Sequence, residues 1–269
     1  MSAARIVAVL RREFQEIVKS RGLLLAIFLP PLFITLIPLI AVGVLGRAIG
    51  SEPGGGDARE FARILELMPE LRSWSVGEVA MFVILQQFLT FFLMMPLIIS
   101  LSIAAQSIVG EKQNKSLEPL LATPIRTGEL LFAKSLTAML PALLATWLAF
   151  VIFIVAARFL IESDRVFDAL LNPKWLVAML ALAPLLALLS VSIAVVLSSR
   201  VNDSRAVQQI GGFVVLPIVL VGVAQTTGLF LLNATTFLLG AVIMGVIDVL
   251  VLRLGVRLFQ REKILTQWK

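Results

Sequence analysis

Residues 81–108 read MFVILQQFLTFFLMMPLIISLSIAAQSI, an unbroken stretch without a single acidic or basic side chain. A helix needs about 20 such residues to cross the hydrocarbon core of a bilayer. Runs of similar length and character recur at residues 23–45, 130–157, 175–197, 210–232 and 234–256. The pattern predicts an all-α integral membrane protein: one transmembrane domain over 1–269, with six transmembrane helices. The composition agrees. The chain is 59% hydrophobic with a mean hydropathy of +1.00, whereas a soluble domain is about half apolar.

What is missing narrows the chemistry. The 269 residues include no cysteine, histidine or tyrosine. Cys/His zinc sites, thiol nucleophiles and Ser-His-Asp arrangements are therefore excluded. So is the usual proton carrier near neutral pH. Without cysteine, the redox compartment is not readable. No G-x-x-x-x-G-K-[ST] occurs, so the chain encodes no phosphate-cradling loop of that type.

The polar segments organise the spans. In residues 1–22, Ile6, Val9, Leu10, Phe14, Ile17 and Val18 share one helical face. Arg5, Arg11, Arg12, Gln15, Glu16 and Lys19 fall largely on the other. This predicts an amphipathic helix lying in the membrane interface; the competing reading is a simple basic topology signal. The first apolar run is too long for a signal-peptide core of 7–15 residues and is read as a retained helix. Pro30, Pro31 and Pro38 predict a kink in it. Residues 46–80 form a polar loop with a turn-rich stretch at Ser51–Gly56 and a surface helix over 57–71. Residues 158–174 form a short charged loop, and 198–209 are polar. Phe259–Lys269 is a basic tail.

The net charge of +6 serves first as a topology signal rather than a sign of nucleic-acid binding. With both termini cytoplasmic, 16 of the 23 basic residues fall inside, as the positive-inside bias requires. A multi-pass plasma or inner membrane protein with cytoplasmic N- and C-termini is expected.

On that side lies the informative stretch, Gly110-Glu111-Lys112-Gln113-Asn114-Lys115-Ser116-Leu117-Glu118-Pro119-Leu120-Leu121-Ala122-Thr123-Pro124. Ser116 can cap a short helix. Pro119 falls in its first turn, where a missing N–H costs little. Leu117, Leu120 and Leu121 share a face, and Thr123-Pro124 ends the helix. Thr127 can cap the third span. The leucine face either meets a partner groove or packs on the chain's own bundle.

Glu111-Lys112, Ser116-Leu117-Glu118, Leu120 to Pro124, and Glu129-Leu130-Leu131 with Lys134 resemble the signature of the ABC-2 permease family, membrane subunits of ATP-driven exporters. The resemblance runs along nearly the whole chain. It includes the N-terminal helix ending at Arg21-Gly22, the polar segment 200–209 before the fifth span, and the tail. It implies that Glu111, Ser116, Leu117, Glu118, Leu120, Leu121, Thr123 and Pro124 belong to a cytoplasmic coupling helix that binds a separate ABC ATPase. It implies that ATP and magnesium are bound by that ATPase, with no cofactor on this chain and no catalytic step. It also implies two permeases per assembly, as a homodimer or a pair.

A few polar groups sit within the apolar runs. The resemblance places the second and fifth spans beside the transport route, so Gln86, Gln87, Thr90, Gln225 and Thr226 are substrate-pathway candidates. Hydrogen bonding between helices is the alternative. Asp248 is the one acid well inside a span. It has three readings: pairing with a basic group such as Arg253, a transport role, or a protonated carboxyl. The expected function is export by a permease subunit. The alternatives are a mechanical or assembly subunit driven by the same ATPase without translocation, and an ion-coupled carrier resting on Asp248 alone.

Overall fold

The structure, a computed structural model, describes residues 3–48, 65–66, 68–113, 127–226 and 234–258. Its helices are α1 (Ala3–Lys19), α2 (Arg21–Ala48), α3 (Val76–Phe92), α4 (Met94–Gln113), α5 (Thr127–Leu160), α6 (Asp164–Leu170), α7 (Pro173–Val177), α8 (Ala183–Ser198), α9 (Ser204–Gly211), α10 (Leu216–Thr226) and α11 (Ala234–Leu258). No strand occurs among the described residues. Six segments are long and apolar enough to cross a membrane: Arg21–Gly43, Val76–Gln113, Glu129–Leu160, Asp164–Ser198, Ser204–Ala224 and Thr235–Gly255. The protein is an all-α membrane protein of six spans.

Local chemistry sets where these helices start, bend and stop. Between α1 and α2, the Ser20 hydroxyl accepts the Leu23 N–H at 3.3 Å, capping α2 as α1 ends. α2 stays helical through Pro30, Pro31 and Pro38. Ser75 opens α3 with a capping box: its hydroxyl accepts the Glu78 N–H, and the Glu78 carboxylate accepts the Ser75 N–H. The second span is interrupted at Leu93. Pro96 has no N–H to offer the Phe92 carbonyl, so the ladder breaks and restarts as α4.

Helices extend into the segment read as a charged loop and into the one read as polar. Residues 158–174 hold the end of α5, the whole of α6 and the start of α7, the last two begun by a polar or proline residue at the N-terminus. The helix that leads into the fifth span begins at Ser204, ahead of the apolar run at 210. Asp203 caps it by accepting the Arg205 N–H at 2.9 Å, and α9 turns Val207 inward with Arg205 and Gln209 outward. Past Gly211 the chain tightens into a 3-10 turn, Gly212–Val215. Pro217 explains the tightening, because it withholds the donor that the Phe213 carbonyl would receive in an α-helix. The surface helix expected over 57–71 falls largely outside the described residues; Pro69–Ser73 forms a 3-10 turn with Leu71 buried.

α4 and α8 form the centre. The Ser190 hydroxyl donates to the Leu97 carbonyl at 2.7 Å. In return the Ser100 hydroxyl reaches the Ala187 carbonyl at 3.3 Å. Small side chains such as Ala104, Ala105, Ala183 and Ala187 let the two backbones approach. Just before α8, residues Ala178–Leu182 widen into a π turn in which the Ala183 N–H bonds the Ala178 carbonyl, five residues back. That leaves the Met179 carbonyl free, and the Trp147 indole N–H of α5 takes it at 2.9 Å. Pro184, which lacks a donor, lies beside this wide turn.

The outer helices face the other way. α2 leaves Phe28, Leu32 and Phe33 exposed, and α11 leaves Leu239, Val242 and Ile243 exposed. Each such side chain forgoes about 1.5–3 kcal/mol if left in water. The bilayer removes that cost.

Candidate functional site

Residues 114–126 lie outside the described residues, and with them Ser116, Leu117, Glu118, Leu120, Leu121, Thr123 and Pro124. The structure does describe the neck from which that segment springs. α4 delivers the chain into it and α5 takes the chain out. α1 packs across the start of α5.

At this neck lies a buried ionic cluster. The Lys134 ammonium on α5 meets Glu13 Oε1 on α1 at 2.9 Å and Glu111 Oε2 on α4 at 2.9 Å. It also donates to Ser107 Oγ at 2.7 Å. Ser107 in turn donates to Glu13 Oε2 at 2.7 Å. The three charged side chains are 4–6% exposed. An ammonium has three protons and no acceptor, and here each proton has its own oxygen. Ser107 and Glu111 are four residues apart on α4, hence stacked on one face. Arg12, half exposed, adds a second positive charge 3.7 Å from Glu111. It also pairs with Glu16 at 3.0 Å, one turn along α1.

A second set of bonds ties the same end of α4 to the turn after α8. Lys112 Nζ donates to the Ser198 carbonyl at 3.4 Å. Gln113 Nε2 donates to the Asn202 carbonyl at 2.7 Å. The neck is thus bonded to α1, α5 and the α8–α9 turn.

Of the residues singled out in the sequence, Glu111 and Lys134 stand at the two ends of the motif and are joined here. Glu13 and Ser107 were missed. Glu13 had a signal: it sits inside the apolar stripe of Val9, Leu10, Phe14 and Ile17, where an unpaired charge is costly to bury. Ser107 had none, because serines in membrane helices commonly bond their own backbone, as Ser102 and Ser192 do.

The intramembrane candidates divide. Gln87 on α3 reaches α10: a Cβ added to Gly222 would stand 2.9 Å from Gln87 Nε2. Thr90 donates to the Gln86 carbonyl at 3.3 Å, one turn back. Gln86 Nε2 is buried with no hydrogen-bond partner among the described residues. Gln225 and Thr226 end α10; their side chains lie outside the described residues. The second and fifth spans thus do meet at a glutamine.

Asp248 on α11 is 2% exposed, and neither carboxylate oxygen has a hydrogen-bond partner among the described residues. Its pairing with Arg253 is not made. Five residues along a helix turn about 140° in net angle, so Asp248 faces the bundle while Arg253 is exposed. Trp175 stacks near Phe237, with centroids 5.4 Å apart, and a Cβ on Gly255 would lie 3.5 Å from Val195. α11 and the fourth span therefore run side by side in the same direction.

No curated protein sequence matches the chain. A family model described as ABC-2 family transporter protein matches it over residues 7–243, from the first turns of α1 well into α11. That reach takes in the first five spans, the start of the sixth, the 114–126 segment and every member of the neck cluster; the chain belongs to the ABC-2 transporter family, as a multi-pass membrane subunit.

Proposed function

We propose that the chain is the permease of an ATP-driven exporter, moving a substrate outward with energy from a separate ABC ATPase that binds ATP and magnesium. The ATPase docks on residues 110–129, which lie on the cytoplasmic side together with both termini. Two permeases enclose the route, as a homodimer or a pair, with Gln86, Gln87, Thr90, Gln225, Thr226 and Asp248 as the polar groups offered to it. One observation carries the coupling part of this reading: the Glu13–Lys134–Glu111 cluster at the neck of the docking segment. A push on 114–126 arrives at α4 and α5 together, and Lys134 passes it to α1. The ATPase closes, the neck tilts, and the spans rearrange; no bond is made or broken by this chain.

The test is a pair of substitutions in the docking face. Leu120→Asp buries a charge in the groove, which costs several kcal/mol, and should abolish co-purification of the ATPase and stimulated ATP turnover while leaving the permease inserted. Leu120→Met should be nearly silent. Intact coupling in Leu120→Asp would overturn the reading. Loss of membrane expression would show that the leucine face packs on its own bundle. A complex that hydrolyses ATP and moves no solute in vesicles would instead favour the mechanical or assembly role.

A further inference from the structure

A cavity of about 810 Å³ opens between α5, α8 and α11. Phe132 and Met139 of α5, Leu188 and Ser192 of α8, and Leu252 and Arg253 of α11 line it. Phe132 is half exposed, so the cavity faces sideways, toward lipid. It sits at the end of the bundle that bears the neck: its wall includes Leu131, one turn into α5, and Val195, one turn before α8 ends.

The lining has the polarity of an amphiphile turned inside out. Among the described residues, no charged group but Arg253 lines it. The Ser192 hydroxyl is already committed to the Leu188 carbonyl at 2.8 Å. Arg253 is exposed and has no carboxylate partner among the described residues. A guanidinium at the end of a membrane helix extends toward the headgroup region, and it matches a phosphate better than any neutral group. A second copy of this chain offers a poor complement. The acid within its own α11, Asp248, is turned inward and buried.

We propose that this groove is a binding site for an anionic phospholipid of the surrounding bilayer, with one acyl chain between α5, α8 and α11 and the phosphate on Arg253. The volume lies in the range of small-ligand sites, and basic pockets between spans are known to take anionic headgroups. The inference does not depend on ATPase coupling or on export.

Lipid binding to the purified full-length protein in mild detergent tests it, with phosphatidylglycerol and phosphatidylcholine as probes and native mass spectrometry as the readout. The wild type should retain phosphatidylglycerol with a preference of about tenfold, the scale of one charge-assisted contact. Arg253→Gln should bind the two lipids alike. Ser192→Trp, which fills the groove, should lose the retained lipid. Phe132→Trp gives an independent reading that leaves the groove open: its emission should be quenched more by chain-brominated phosphatidylglycerol than by brominated phosphatidylcholine. Equal retention of both lipids by the wild type, or unequal quenching that survives Arg253→Gln, would overturn the proposal. So would a Ser192→Trp protein that keeps its lipid, or one that instead separates two copies of the chain, since the groove would then be a protein contact.

Discussion

At the scale of the residue, Lys134 decides the neck. Its removal would leave Glu13 and Glu111 buried beside each other with no shared cation. Lys134→Met should therefore destabilise the protein by about 3–5 kcal/mol, seen as a lowered unfolding temperature in detergent or nanodiscs. The triple replacement of Glu13 and Glu111 by Leu together with Lys134→Met removes the charges as a set. It should recover most of that loss, because a buried ion pair seldom outweighs a well-packed apolar substitute. Failure of the triple variant to recover would show that the geometry, not merely the charge balance, holds the neck. Asp248 calls for the opposite result. With no partner for either oxygen among the described residues, Asp248→Asn should leave stability unchanged or raise it by about 1–2 kcal/mol. A marked fall would reveal a cation held by the carboxylate. Glu111 and Lys134 were legible as residues of a motif, but their pairing was not, since 23 positions separate them in the chain and only the hairpin of α4 and α5 brings them together.

At the scale of the element, the spans were legible and their ends were not. An apolar run announces itself by length alone. Its helix termini are set by single side chains, and the capping oxygen of Asp203 starts the helix of the fifth span at Ser204, ahead of the apolar run. The π turn at Ala178–Leu182 left a proline as its sole trace in the sequence, since the indole that stabilises it belongs to α5. Trp147→Phe keeps the ring and removes the donor. It should cost about 1–3 kcal/mol for the orphaned Met179 carbonyl, measured as a thermal shift against the wild type. The two close glycines separate by what they meet. A Cβ at Gly211 would stand 2.7 Å from Leu101 Cδ1 in the buried core, so Gly211→Ala should cost about 1–3 kcal/mol. At Gly222 the obstacle is the free end of Gln87, which can swing aside, and Gly222→Ala should be milder.

At the scale of the whole molecule, simple experiments read orientation and self-sufficiency. The chain contains no cysteine, so single cysteines introduced at Ser2 or Lys269 report on their own surroundings. Neither should react with an impermeant thiol reagent added outside intact cells, and reaction at either end would reverse the proposed topology. Purified alone, the chain should hydrolyse no ATP above a mock preparation. The family match spans residues 7–243, and the class of protein was readable before any coordinates, whereas the transported molecule left no mark in the residues. The Lys134 ammonium has a further consequence, because its three protons are all engaged. An amine so occupied has no free pair to offer an acylating reagent, whereas Lys19 on the surface of α1 is exposed. Reductive methylation or succinimide labelling should therefore mark Lys19 at once and Lys134 only when the neck parts. Timed with and without nucleotide on the ATPase complex proposed above, the rate of Lys134 modification should report the fraction of time that the junction stands open.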